Sequence, residues 1–145
     1  MHQFSTIIGQ IRMLPAALRA LVAPLTDAQL ASHPILGEWS VAQTVHHLAD
    51  SHLHGYIRCK RIITEDVPTL VPYDPDTWSL TTDAQGDTID GSLAIIEGLH
   101  ARWADSVEAI DAATWERTGF HPEVGELSLE LLVDLYVAHG VGHLD

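Results

Sequence analysis

Apolar positions recur at three- and four-residue spacing in four segments of the chain, and the stretches between them are rich in turn-forming residues. In the first segment, residues 3–22, Phe4, Ile7, Ile11, Leu14, Leu18 and Leu21 share one helical face. Pro15 lies inside that pattern and removes the N–H that would bond the carbonyl of Ile11, which predicts a kink or restart. A short turn over residues 27–30, capped by Thr26, and a loop over 33–38 follow. The second helix opens on Ser40-Val41-Ala42-Gln43, a capping box, and is predicted to end near Thr64, where Arg58, Lys60 and Arg61 suit the negative helix terminus. Its buried stripe is Val41, Val45, Leu48, His52, Tyr56 and Cys59. A long loop with Pro68, Pro72 and Pro75 precedes a third helix over residues 90–110, striped by Leu93, Ile96, His100, Trp103, Val107 and Ile110. A turn-rich stretch, residues 119–125, leads to Ser128, the expected N-cap of a fourth helix with Leu132, Leu135, Tyr136, His139 and His143 facing inward. No alternating run is long enough to predict a strand. Helices with one apolar stripe each can bury those stripes only against one another. The expected fold is therefore all-α, an up-down four-helix bundle forming one domain over residues 1–145.

Composition narrows the function classes. Apolar residues make up 46% of the 145, enough for a sizeable core. Seven Lys and Arg against twenty Asp and Glu give a net charge of −13, which repels a phosphate backbone and argues against nucleic-acid binding. The single cysteine, Cys59, excludes an intramolecular disulfide and a Cys-based zinc ribbon, and its place on the buried stripe reads as a small core residue. Apolar stretches such as residues 16–25 are too short to span a bilayer and contain Arg19 and Pro24. No charged-then-apolar leader opens the sequence, so the expected location is the cytoplasm, without membrane attachment.

Ten residues are histidine, and they divide into groups. His139 and His143 stand at i and i+4, so their imidazoles project from one helix face, a spacing that lets both ligate one divalent metal. Neutral imidazole suits zinc, and also nickel, iron or copper. The same spacing also arises by chance in a histidine-rich chain. In the second helix, Gln43, His47, Asp50, Ser51 and His54 share one side, whereas His52 lies within the apolar stripe. Periodicity alone therefore favours His52 as the inward residue and puts His47 at the stripe's edge. His46 and His54 read as exposed helix polarity, and His52 and His100 as core histidines with one satisfied nitrogen. His2, His33 and His121, at a terminus or in loops, are assigned no chemistry.

Trp39-Ser40 followed by His47-Leu48, with the H-x-x-x-H pair on the last helix, resembles the DinB/YfiT-like family of metal-binding four-helix bundles. The segments His46-His47-Leu48-Ala49-Asp50-Ser51-His52, Tyr56-Ile57-Arg58, Thr64-Glu65, Pro72-Tyr73-Asp74, Leu99-His100-Ala101-Arg102-Trp103, His121-Pro122-Glu123 and Leu135-Tyr136-Val137-Ala138-His139 are similar to its YfiT branch. Residues 1–36 match only in helix placement. The resemblance implies one metal ion per chain, zinc or nickel, held by three histidines. Matched residue by residue, these are His47, His139 and His143, so the resemblance displaces the helix wheel's preference for His52. Two features of the last helix depart from the branch: Gly140 and Gly142 flank the ligand region, each weakening a helix by about 1 kcal/mol relative to alanine, and the chain stops at Asp145, so fraying there is expected to loosen His143.

Three imidazoles plus an open position is the arrangement of a catalytic zinc. The resemblance supports a metal-dependent hydrolase, or a transferase of low-molecular-weight thiols, acting on a small electrophilic substrate. Asp50, one turn from His47, is the candidate to orient that imidazole or accept a proton, against the plainer reading of a solvated carboxylate. Arg58, Tyr73 and Trp78 are the candidate substrate contacts, the last two on a loop over residues 65–80 that serves as a lid or as a simple connection. With one core cysteine, any thiol chemistry needs a thiol cosubstrate. Relatives of this kind dimerise, which implies a homodimer. The rival reading is a non-enzymatic, metal-binding or stress-associated dimeric bundle.

Overall fold

The computed structural model describes residues 2–144, with side chains from residue 4 onward, so the side chain of His2 lies outside the described residues. Helix α1 spans His2–Val22 without interruption, so the restart expected at Pro15 does not form. Thr26 caps α2 (Asp27–Leu30) and Ser40 caps α3 (Val41–Thr64), both through capping boxes closed by Gln29 and Gln43. The long proline-bearing loop is less irregular than expected. Pro75 occupies the first position of α4 (Pro75–Trp78), where its missing N–H has no helical partner to lose, and α5 (Thr82–Gln85) follows. Helix α6 covers Asp90–Glu108, and Asp111 caps the short α7 (Ala112–Trp115).

The turn-rich stretch holds a feature the sequence did not predict. Strands β1 (Thr118–His121) and β2 (Gly125–Ser128) pair antiparallel, with Gly119 opposite Leu127. Each strand is only four residues long, too short for its alternation to stand out. The hairpin turn needs a backbone φ of +93° at Gly125, a conformation glycine adopts without a Cβ clash. Helix α8 (Leu129–Leu144) starts as expected, with Ser128 Oγ accepting the N–H of Leu131 at 3.1 Å.

Four long helices form the bundle, and its winding refines the up-down expectation. Helix α1 packs on α6 and α8, and α3 packs on the same two helices, so chain-consecutive α1 and α3 face each other across a diagonal. Surface pairs Arg12–Asp105 and Arg19–Glu97 show that α1 and α6 run antiparallel. His46–Ser92 and His52–His100 show that α3 and α6 run parallel, and contacts of His47 with His143 and of Arg58 with Tyr136 make α8 antiparallel to α3. The order is up, down, down, up. A parallel α3–α6 pair requires residues 65–89 to travel back along the bundle, since a 24-residue helix is about 36 Å long. That return carries α4 and α5 along α3.

The buried faces follow the predicted stripes at most positions, with Trp103, Ile96, Leu48 and Val45 fully enclosed. Three stripe positions differ. Leu21 and Leu135 are half exposed, with Val22 and Val133 buried instead, and His143, expected to face inward, is exposed. Gly140 has a packing reason. A Cβ there would lie 2.9 Å from Leu14 Cδ2 and 3.2 Å from His52 Cε1, so glycine lets α8 approach α1 and α3 closely. Gly142 faces open space.

Candidate metal centre

Helix α3 and helix α8 bring His47, His139 and His143 together near one end of the bundle. Nε2 of His139 lies 3.0 Å from Nε2 of His47 and 3.1 Å from Nε2 of His143, and one ligand atom from each ring lies within 4.8 Å of the others. Two nitrogens bound at about 2.0–2.1 Å to a tetrahedral zinc stand about 3.3 Å apart, so the two spacings at His139 are close to those of ligands on one shared ion. Burial, followed by the neighbouring His139 and His143, pushes His47 down to about 4. Burial and His143 push His139 down to about 4, and burial also lowers His143. The rings are neutral at pH 7, the form that binds metal. No other group of three or more such ligands is found among the described residues.

Behind this cluster, His52 and His100 are buried, as expected of core histidines. His100 Nδ1 donates to the carbonyl of Ile11 at 2.8 Å, the carbonyl that Pro15 leaves without a helical donor. His52 Nδ1 lies 2.7 Å from His100 Nε2, and His52 Nε2 lies 3.3 Å from His139 Nδ1. The wheel's candidate and the resemblance's candidate thus both meet His139. His52 does so from the core side at Nδ1, and His47 from the edge at Nε2.

The remaining candidates lie beside the cluster. Asp50 shares a small cleft with Gln43, His47, Tyr73, Trp78 and Ala84, and burial raises its pKa. No hydrogen bond joins its carboxylate to His47 among the described residues. Tyr73 and Trp78, brought by the return segment, pack on His54, with the His54 and Tyr73 rings stacked at 3.9 Å. His54 is therefore half covered rather than plain exposed polarity. Arg58 has no acidic partner among the described residues; its guanidinium donates to Tyr136 Oη and to the carbonyl of Val71, each at 2.7 Å. Trp39 lies against His47 with ring centroids 4.6 Å apart, and an apolar cleft lined by Leu18, Val22, Leu25 and Trp39 reaches His143.

Two other sequence readings change. His46, expected on the surface, is buried between Ser92 Oγ at 2.6 Å and the carbonyl of Gly86 at 2.7 Å. Its partners come from the return segment and α6, more than 35 residues away, so helix periodicity could not find them. His121 is also buried, and its Nδ1 accepts the N–H of Glu123. Cys59 is a core residue as read, and burial pushes its thiol up to about 11.

A four-helix bundle wound up, down, down, up, with three convergent imidazole nitrogens between two of its helices, defines a narrow class. Residues 10–145 match the DinB superfamily, and the chain belongs to it. It is 44% identical over 138 residues to "Putative metal-dependent hydrolase GK0616" of Geobacillus kaustophilus, covering 94% of this chain and 77% of that one. It is 39% identical over 138 residues to "Putative metal-dependent hydrolase YfiT" of Bacillus subtilis, covering 94% of this chain and 78% of the relative. The solved structure of the Bacillus subtilis YfiT, described as "a probable metal-dependent hydrolase with an unusual four-helix bundle topology", superposes with a TM-score of 0.95 at 36% identity, over 99% of this chain and 83% of that one.

Proposed function

We propose that this chain binds one divalent metal ion, zinc or nickel, through Nε2 of His47, His139 and His143, and acts as a metal-dependent hydrolase or low-molecular-weight thiol S-transferase on a small electrophile. The observation that carries the reading is the convergence of three neutral imidazole nitrogens within 3.0–3.1 Å of the central one. A divalent ion held there supplies Lewis acidity, lowering the pKa of a water or thiol and polarising an electrophile.

The chain's own residues supply the rest. Asp50, raised in pKa by burial and facing the same cleft as His47, takes up or returns a proton at its carboxylate. Tyr73 and Trp78 wall that cleft and exclude water from one side, held by their packing on His54. Arg58 sits a further turn along α3, where its bond to Tyr136 fixes the phenol and its bond to Val71 anchors the return segment; contact with a substrate carboxylate is the role proposed for it. Cys59, buried and resistant to ionisation, leaves any thiolate to a cosubstrate. A homodimeric assembly and a cytoplasmic location belong to the same proposal; no described helix is long and apolar enough to cross a membrane.

The test compares wild type with His139→Ala for metal content, thiol conjugation and ester hydrolysis. The reading predicts metal and activity in the wild type and loss of both in the variant. Activity that survives metal removal would refute the metal-dependent enzyme.

A further inference from the structure

We infer that the carbonyl released by Pro15 anchors a one-way chain of hydrogen bonds, Ile11 to His100 to His52 to His139, that holds the proton of His139 on Nδ1 and keeps its Nε2 lone pair aimed at the metal position. The inference rests on the three-histidine reading and adds two positioning residues, His52 and His100, to it.

The direction follows from the one group in the chain whose role is fixed. A carbonyl oxygen only accepts, so the 2.8 Å contact with Ile11 requires a hydrogen on His100 Nδ1. A neutral imidazole carries one N–H, which leaves His100 Nε2 as an acceptor. The 2.7 Å contact with His52 Nδ1 then needs the hydrogen on His52. His52 Nε2 is left as the acceptor, so the 3.3 Å contact with His139 Nδ1 takes its hydrogen from His139. The only nitrogen of His139 left with a free pair is Nε2, which stands 3.0 and 3.1 Å from the other two candidate ligand nitrogens.

Both inner rings are buried, and their nitrogens meet only a carbonyl and other imidazoles, surroundings in which a charged ring is costly. Local geometry supports the chain at both ends. Proline at position 15 removes the donor that Ile11 would otherwise have, and glycine at 140 admits the His52 ring, since a Cβ would stand 3.2 Å from its Cε1. Metal-bound histidines commonly fix their tautomer by donating the other N–H to a carbonyl or carboxylate. Here the terminal carbonyl acts through two intervening imidazoles.

Long-range proton–nitrogen correlation spectra of the metal-free protein at neutral pH test the chain directly. The expected result is hydrogen on Nδ1 and a pyridine-like Nε2 for His100, His52 and His139. A dominant Nε2–H form of any of the three would overturn it. His52→Phe, which fills the space but cannot bond, is expected to weaken zinc binding about 10- to 100-fold in chelator competition and to mix the His139 tautomers. Unchanged zinc affinity in a folded His52→Phe protein would also overturn the inference. If that variant does not fold, the wild-type spectrum decides. Wild type that binds no zinc would refute the three-histidine centre, and the metal-free spectrum separates that failure from failure of the chain itself.

Discussion

Two glycines two residues apart on α8 are expected to respond in opposite ways to the same substitution. Alanine in place of glycine favours a helix interior by about 0.8–1.0 kcal/mol. At Gly142 a Cβ meets nothing within 4 Å, so Gly142→Ala should keep most of that gain, trimmed by fraying to about 0.5–1 kcal/mol. At Gly140 the added carbon would lie 2.9 Å from Leu14 Cδ2, 3.3 Å from Leu14 Cδ1 and 3.2 Å from His52 Cε1. Leu14 is buried, and His52 is held at both ring nitrogens. Overpacking of this kind costs about 1–3 kcal/mol. Set against the propensity gain, Gly140→Ala should be destabilising by about 0–2 kcal/mol. For a chain of this length 1 kcal/mol shifts Tm by about 3 °C. Urea denaturation in the presence of chelator reads both variants without a contribution from metal binding. A Gly140→Ala protein stabilised as much as Gly142→Ala would refute the close approach of α8 to α3.

Other consequences are equally direct. Replacing His46 by Ala leaves Ser92 Oγ and the Gly86 carbonyl without their partner and opens a cavity, so it should cost about 2–4 kcal/mol in denaturant unfolding; a loss below about 0.5 kcal/mol would place that ring at the surface after all. The metal-free chain should lose stability as pH falls from about 6.5 to about 4, measured as the urea midpoint. His47 and His139 take up protons at about 4 in the folded chain but near 6.5 when unfolded, so the unfolded state binds more protons across that window and stability rises with pH. His47→Gln should flatten that slope, and an unchanged slope would contradict the assignment. Tyr136→Phe removes one of two anchors of Arg58, with an expected cost of about 0.5–1.5 kcal/mol and faster proteolysis of the return segment; equal protease resistance would count against the anchor.

Helix positions were readable because each long helix carries its own stripe, and two carry a cap as well: Ser40 with Gln43, and Ser128 ahead of α8, mark starts that side-chain chemistry dictates locally. The hairpin was not, since its strands bury residues in patterns too short to rise above a turn-rich background. The order of the helices was also hidden, because it depends on where residues 65–89 lead the chain, and that path is set by pairs such as His46 with Ser92 and Arg58 with Val71. At the cluster, spacing alone identified His139 and His143 as a pair. On α3 it favoured His52 over His47, and the reason is physical. His139 lies between them and uses a different ring nitrogen toward each, so the stripe and its edge both reach the same ring. Pro15, which read as a kink or restart of α1, leaves a carbonyl for His100 inside a helix that does not restart.

The most direct test of the account is bound-metal analysis of purified wild type beside His47→Ala, His139→Ala and His143→Ala, followed by anomalous diffraction at the absorption edge of the metal found. One ion per wild-type chain, lying between the three Nε2 atoms and lost from each variant, is the predicted result. A wild type without metal after equilibration with zinc and nickel, or an ion retained in His139→Ala, would contradict it.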